Sequence, residues 1–77
     1  MTPETLRSWK DTVARWRGER DAYARRAAAK RQEARDARKR RDFVGALVAD
    51  GRAREYRDSR DRLAADIRQT CQLYGIK

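Results

Sequence analysis

After Pro3 the chain contains no further proline, and its larger apolar residues recur at helical spacing. Thr2 and Pro3 suit the start of a helix, because threonine caps a helix N-terminus and proline is tolerated in the first turn. Apolar residues then follow at alternating steps of three and four, with one interruption at Arg20, as in the a and d positions of a heptad repeat. These residues are Leu6, Trp9, Val13, Trp16 and Tyr23. The pattern predicts an all-α, coiled-coil-like protein.

The same heptad register continues through small and basic residues before it becomes apolar again. Its next positions are Ala27, Lys30, Ala34, Ala37, Arg41, Val44 and Val48. Gly18 lies inside the pattern, and one glycine in a helix costs about 1 kcal/mol relative to alanine. Because the register continues on both sides of Gly18, we expect one long helix over residues 3–49.

A pair of turn-forming residues, Asp50-Gly51, interrupts the chain after this helix. Glycine just beyond a helix end favours a tight connection. We therefore expect a turn at residues 50–52 and a second helix over residues 53–74, with Gly75 after it. A break near Gly45 is the alternative. The expected fold is a single domain, an antiparallel helical hairpin with one long and one shorter helix, completed by oligomerisation.

A turn at residues 50–52 fixes which residues face each other across the hairpin. It places Tyr74 near Ala27, so the start of the long helix lies beyond the reach of the second helix. An uncovered apolar stripe with two tryptophans would be an exposed apolar patch, and such patches usually bind another protein chain. We therefore expect a partner or oligomer interface formed by Leu6, Trp9, Val13, Trp16 and Tyr23. The partner is either a second copy of the chain or a larger protein for which the tryptophans are anchors.

Several function classes are excluded by what the sequence lacks. There is no histidine, a single cysteine (Cys71) and no glycine-rich phosphate loop, so general-base, nucleophilic and zinc chemistry have no obvious residues. We expect no catalytic residue, no metal and no cofactor. No apolar run is long enough to cross a membrane, and the basic stretch has no bulky apolar residues opposite it for membrane-surface binding. We expect a soluble, cytoplasmic protein that is not an enzyme.

The positive charge of the chain is concentrated in one part of the first helix. The net charge is +9, and residues 15–41 contribute +8 of it, with twelve basic residues against four acidic ones. The expected nucleic-acid-binding residues lie in this part: Arg25, Arg26, Lys30, Arg31, Arg35, Arg38, Lys39, Arg40 and Arg41. Arginine binds phosphate through several donors, and phosphate contacts gain free energy by releasing counterions.

The composition of this segment favours backbone contact over base recognition. Residues 25–41 contain no aromatic side chain for base stacking and only one amide side chain, Gln32. We therefore predict a small non-catalytic protein that binds DNA or RNA with little sequence preference. The alternatives are a basic helix that is only solvated surface, or an interaction subunit of a larger complex, such as a bacterial or phage accessory protein. Such a subunit would dock through its Trp-containing N-terminal helix, with the basic helix facing an acidic partner.

Overall fold

The protein is a helical hairpin without strands, as the periodicity predicts. The computed structural model describes residues 1–77 and contains two α-helices, α1 (Pro3–Lys39) and α2 (Phe43–Tyr74). They pack against each other in antiparallel orientation and form a rod with extents of 58 × 15 × 14 Å. The rod is about as long as α1 alone, since 37 residues at 1.5 Å each span about 56 Å. The expected all-α helical hairpin is confirmed.

The first helix begins where the sequence predicts. The Thr2 hydroxyl accepts a hydrogen bond from the Thr5 amide at 3.2 Å, and Pro3 occupies the first turn, where it needs no donor. The helix continues through Gly18 without a break. No helix of the chain is both long enough and apolar enough to span a membrane.

The connection between the helices lies ten residues earlier than we expected. The helix predicted over residues 3–49 ends at Lys39, and the turn consists of Arg40, Arg41 and Asp42. The expected turn at Asp50-Gly51 is therefore wrong, and Gly51 lies inside α2. The alternative break near Gly45 falls closer to the observed turn.

The backbone of Arg41 makes this turn possible. Arg41 has a φ of 60°, in the left-handed region. Its amide donates to the carbonyl of Arg38 at 3.0 Å, and the Asp42 amide donates to the carbonyl of Ala37 at 2.8 Å. These two bonds form a Schellman motif, which satisfies the free carbonyls at a helix end. Glycine usually occupies the left-handed position, because a side chain there costs about 1–2 kcal/mol. The position of this turn is therefore hard to predict from sequence.

Asp42 ends the turn and starts the second helix. Its carboxylate accepts a hydrogen bond from the Gly45 amide at 2.9 Å, so it acts as the N-cap of α2. A Cβ atom at Gly45 would lie 2.3 Å from Oδ2 of Asp42. Glycine at position 45 therefore leaves room for the capping carboxylate and does not mark a break in the helix.

The early turn makes the two helices nearly equal in length and changes which residues pair. Tyr74 stacks on Trp9, with ring centroids 4.9 Å apart and an interplanar angle of 19°, and does not lie near Ala27 as expected. Trp9 also meets Trp16 edge to face, with centroids 6.4 Å apart. The start of α1 is thus within reach of α2, and the expectation that it lies beyond the second helix is wrong. Val13 is completely buried.

The core is narrow and consists mostly of alanine. Its members are Val13, Ala27, Ala34, Ala37, Ala46, Ala49, Ala53 and Ile67. The fully buried residues near the turn are all alanines, and side chains of this size allow two helices to pack closely. Ala27, Ala34 and Ala37 are buried as the heptad register predicts. Val44 and Val48 are not, with 75% and 58% of their surface exposed, because the turn interrupts the register at residue 40.

Candidate nucleic-acid interface

The structure separates the predicted nucleic-acid-binding residues into different surroundings. All nine lie on α1 or in the turn, and all but the half-buried Lys30 are exposed. Lys30 pairs with Glu33 at 3.0 Å, and the Arg26 guanidinium lies 5.6 Å from the ring centre of Tyr23. These contacts engage two of the nine in local interactions within α1. Five have no ion pair, side-chain hydrogen bond or cation–π contact: Arg25, Arg31, Lys39, Arg40 and Arg41.

One face of α1 combines with one face of α2 into a basic cleft. Arg31, Arg54, Arg57, Asp50 and Ala53 line this cleft, whose volume is about 230 Å³. No acidic side chain pairs with Arg31 or Arg54, and the Nε atom of Arg57 lies 4.0 Å from Oδ1 of Asp58, at the limit of an ion pair. Three guanidinium groups from two helices are thus available around one cleft.

The acidic residue in the cleft is already paired. The Asp50 carboxylate binds the Arg38 guanidinium, which connects the end of α1 to α2. Arg38 therefore neutralises Asp50 and leaves the positive charge of the other three arginines uncompensated. Arg31, Arg35 and Arg38 are four and three residues apart and share one face of α1, because a helix repeats every 3.6 residues. The Arg35 guanidinium donates to Oε1 of Gln32 at 2.6 Å and has no acidic partner.

The opposite side of the hairpin has the reverse charge. A second cleft of about 240 Å³ contains three carboxylates and a single basic side chain; its lining residues are Glu33, Asp36, Ala37, Arg40, Asp42, Gly45 and Ala49. The two clefts near the turn therefore carry charge of opposite sign.

The residues expected to bind a partner are partly covered by the chain itself. Val13 is fully buried and offers no surface, whereas Leu6, Trp9, Trp16 and Tyr23 are half-buried. Trp9 stacks on Tyr74, and Tyr23 lies beside Tyr56 with ring centroids 6.4 Å apart. The Arg17 guanidinium also donates to the carbonyl of Lys77 at 3.2 Å. These contacts provide within one chain part of the packing that we expected from a second protein, and the interface itself stays a prediction.

The large apolar side chains without cover lie elsewhere. Four of them occupy the first two turns of α2, immediately after the basic turn, and we call them the tip patch: Phe43, Val44, Leu47 and Val48. Between 58% and 75% of the surface of each is exposed. Leu73 and Met1, each 70% exposed, are at the other end of the rod.

The sequence analysis did not predict that α2 contributes to the basic cleft and carries the tip patch. Residues 42–77 have a net charge of only +1, which hides the fact that Arg54 and Arg57 share one face. Their spacing of three predicts that they share one face of a helix. That they form a cleft with Arg31 can be recognised only when the pairing of the two helices is known. The tip patch has a signal too, since Phe43, Val44, Leu47 and Val48 repeat at four.

No group of three or more His, Cys, Asp or Glu side chains is arranged to hold a metal ion. Comparison of the chain with protein-family models, with curated proteins and with solved structures finds no match.

Proposed function

We propose that this protein binds the phosphate backbone of a nucleic acid through the basic cleft and the adjoining face of α1. The observation that carries the proposal is the convergence of Arg31, Arg54 and Arg57, from two helices, with no acidic partner except one distant contact. Three arginines surround one cleft, and the acidic residue in its lining is paired with Arg38.

The arrangement suits backbone binding and lacks the means for base recognition. Guanidinium groups donate two parallel hydrogen bonds to a phosphate, and each phosphate contact releases condensed counterions. Arg31 and Arg35 are four residues apart, about 6 Å along α1, which corresponds to about two steps of 3.4 Å along one DNA strand. The lining of the cleft contains no aromatic side chain on which a base could stack. The expected binding is therefore sensitive to salt and tolerant of sequence.

The test is a titration of labelled duplexes with the protein, followed by fluorescence anisotropy between about 50 and 200 mM salt. DNA and RNA duplexes of the same sequence are compared, because the cleft alone does not select between them. A cleft variant carries R31Q, R54Q and R57Q; glutamine keeps a helix propensity close to that of arginine. For this variant we expect a loss of affinity and a decrease of the salt slope by about two to three units, since each phosphate contact contributes about 0.9.

A matched control separates the cleft from the total charge. Arg7, Lys10 and Arg68 lie at the end of the rod opposite the turn, are exposed and form no ion pair. The variant R7Q/K10Q/R68Q removes the same three charges and should retain most of the affinity and the slope. Equal losses in both variants would mean that only net charge matters. Absence of binding by the folded protein near physiological salt would contradict the proposal.

The rival expectation, an assembly subunit that docks through its Trp-containing helix, has less support. Trp9 packs on Tyr74 and Val13 is buried, so a partner would contact only the part of this stripe that the hairpin leaves exposed. An acidic protein surface is the other ligand that the basic cleft could take. A folded protein that binds neither duplex would favour that ligand.

A further inference from the structure

Two contacts between the helices fix the register along the flank of the hairpin that contains the basic cleft. Near the turn, the Arg38 guanidinium binds the Asp50 carboxylate. Farther from the turn, the Arg17 guanidinium lies 3.7 Å from Sγ of Cys71. Arg17 lies as many residues before Arg38 as Cys71 lies after Asp50. Both contacts therefore belong to one antiparallel register, in which equal steps along α1 and α2 bring successive side chains opposite each other.

Between these two contacts, the register places two like charges opposite each other. Arg31 lies seven residues before Arg38, and Arg57 lies seven residues after Asp50. Seven residues are about two helical turns, so Arg31 and Arg57 repeat the arrangement of Arg38 and Asp50 two turns farther along the hairpin. Both arginines line the basic cleft, in agreement with this placement. We call Arg31 and Arg57 the opposed pair.

The opposed pair lacks a counter-charge within the chain. Arg31 forms no ion pair, and Nε of Arg57 lies 4.0 Å from Oδ1 of Asp58, at the limit of an ion pair. Arg54 adds a third positive charge to the same cleft. Like charges that face each other on packed helices destabilise them, whereas opposite charges at such flanking positions stabilise them. An anion between the two guanidinium groups would replace this repulsion with two attractions.

We infer that a phosphate group binds between Arg31 and Arg57 and joins the two helices, so that ligand binding and the stability of the hairpin are coupled. A phosphate has enough oxygen atoms to accept hydrogen bonds from two guanidinium groups at once. The cleft, with a volume of about 230 Å³, provides the space. The inference rests on the proposed function only for nucleic acid as the source of the phosphate; inorganic polyphosphate has the same chemistry.

The first experiment tests the opposed pair without any ligand. Thermal unfolding is compared for the wild-type chain, R31E, R57E and R31E/R57E. Each single variant places opposite charges across the cleft, and the double variant restores like charges. The local effects of each substitution cancel in this cycle. We expect the double variant to unfold at least about 4 °C below the value that adding the two single shifts predicts. Additive shifts would overturn the inference and leave the proposed nucleic-acid binding standing.

The second experiment adds inorganic tripolyphosphate or a short DNA duplex, with sodium chloride of matched ionic strength as the blank. A ligand that binds only the folded chain at ten times its Kd should raise the wild-type Tm by roughly 6–11 °C. The variant R31Q/R57Q should lose most of this rise. R25Q/R68Q is the matched control, because Arg25 and Arg68 are exposed, unpaired and line neither cleft; it should retain the rise.

The two ligands distinguish the source of the phosphate. A rise with both ligands that requires the opposed pair supports the phosphate site as such, and a rise with the duplex alone supports nucleic acid as the source. A rise with tripolyphosphate alone supports the site and contradicts the proposed function. Equal losses in R31Q/R57Q and R25Q/R68Q would overturn the inference, since only net charge would then matter. Binding of the duplex in the anisotropy assay without any rise in Tm would overturn the coupling alone.

Discussion

Replacing Gly51 with alanine tests where this hairpin turns. In the structure Gly51 lies in the interior of α2, without a positive φ, and a Cβ there would meet no atom within 4 Å. Alanine should therefore fit without strain and stabilise the helix, because glycine has a greater backbone entropy in the unfolded state. The expected gain is about 0.5–1 kcal/mol in the free energy of unfolding.

At Gly75, replacement by alanine should lower the free energy of unfolding, and this variant provides the comparison. Gly75 follows α2 with a φ of 65° and closes the helix end. An alanine in this left-handed conformation costs about 1–2 kcal/mol. If the chain instead turned at Asp50-Gly51, Gly51 would occupy the equivalent position, and G51A would be destabilising by a similar amount. The two placements of the turn thus predict changes of opposite sign.

The measurement is urea unfolding followed by circular dichroism, with thermal unfolding as a second readout. Both variants are compared with the wild-type chain at the same protein concentration. For a domain of this size, 1 kcal/mol corresponds to about 4–8 °C in Tm. G51A should raise the urea midpoint and G75A should lower it, with the m-value unchanged. A lower midpoint for G51A would refute the observed turn position and, with it, the pairing of the helices.

Two further changes probe the turn and the aromatic end of the rod. R41G should stabilise the chain by about 1 kcal/mol in the same unfolding assay, because glycine adopts a φ of 60° without strain; a loss of stability would show that the Arg41 side chain contributes more than its strain costs. W9A should destabilise the fold by about 3 kcal/mol, because it removes the stack on Tyr74. A W9A variant as stable as the wild-type chain would show that the stack on Tyr74 does not hold the end of α2 in place.

The periodicity of the sequence determined the fold class and the inward face of α1. Apolar residues that recur three and four positions apart from Leu6 onward predict an amphipathic helix. The structure confirms that Val13, Ala27 and Ala34 are buried on one face of this helix. Thr2 and Pro3 also determined where α1 begins, because the cap involves only neighbouring residues. Such features depend on local geometry and can be derived from sequence.

The position of the turn was decided by tertiary packing. A glycine inside α2 costs about 1 kcal/mol, and a left-handed Arg41 costs about as much, so local preferences argued against the observed arrangement. A turn at residues 40–42 allows α2 to reach Trp9 and to enclose Val13. Burial of such large apolar side chains is worth several kcal/mol in total, which exceeds both local costs.

The composition of the candidate sites also depends on the position of the turn. The charge pattern identified α1 as basic, but only the pairing of the helices brings Arg54 and Arg57 beside Arg31. The turn also shifts the phase of the apolar positions after residue 40, which turns Val44 and Val48 from the expected core to the surface. The sequence alone determined which residues are apolar or charged and how they repeat. Which of them meet was settled by the larger burial available to two helices of nearly equal length.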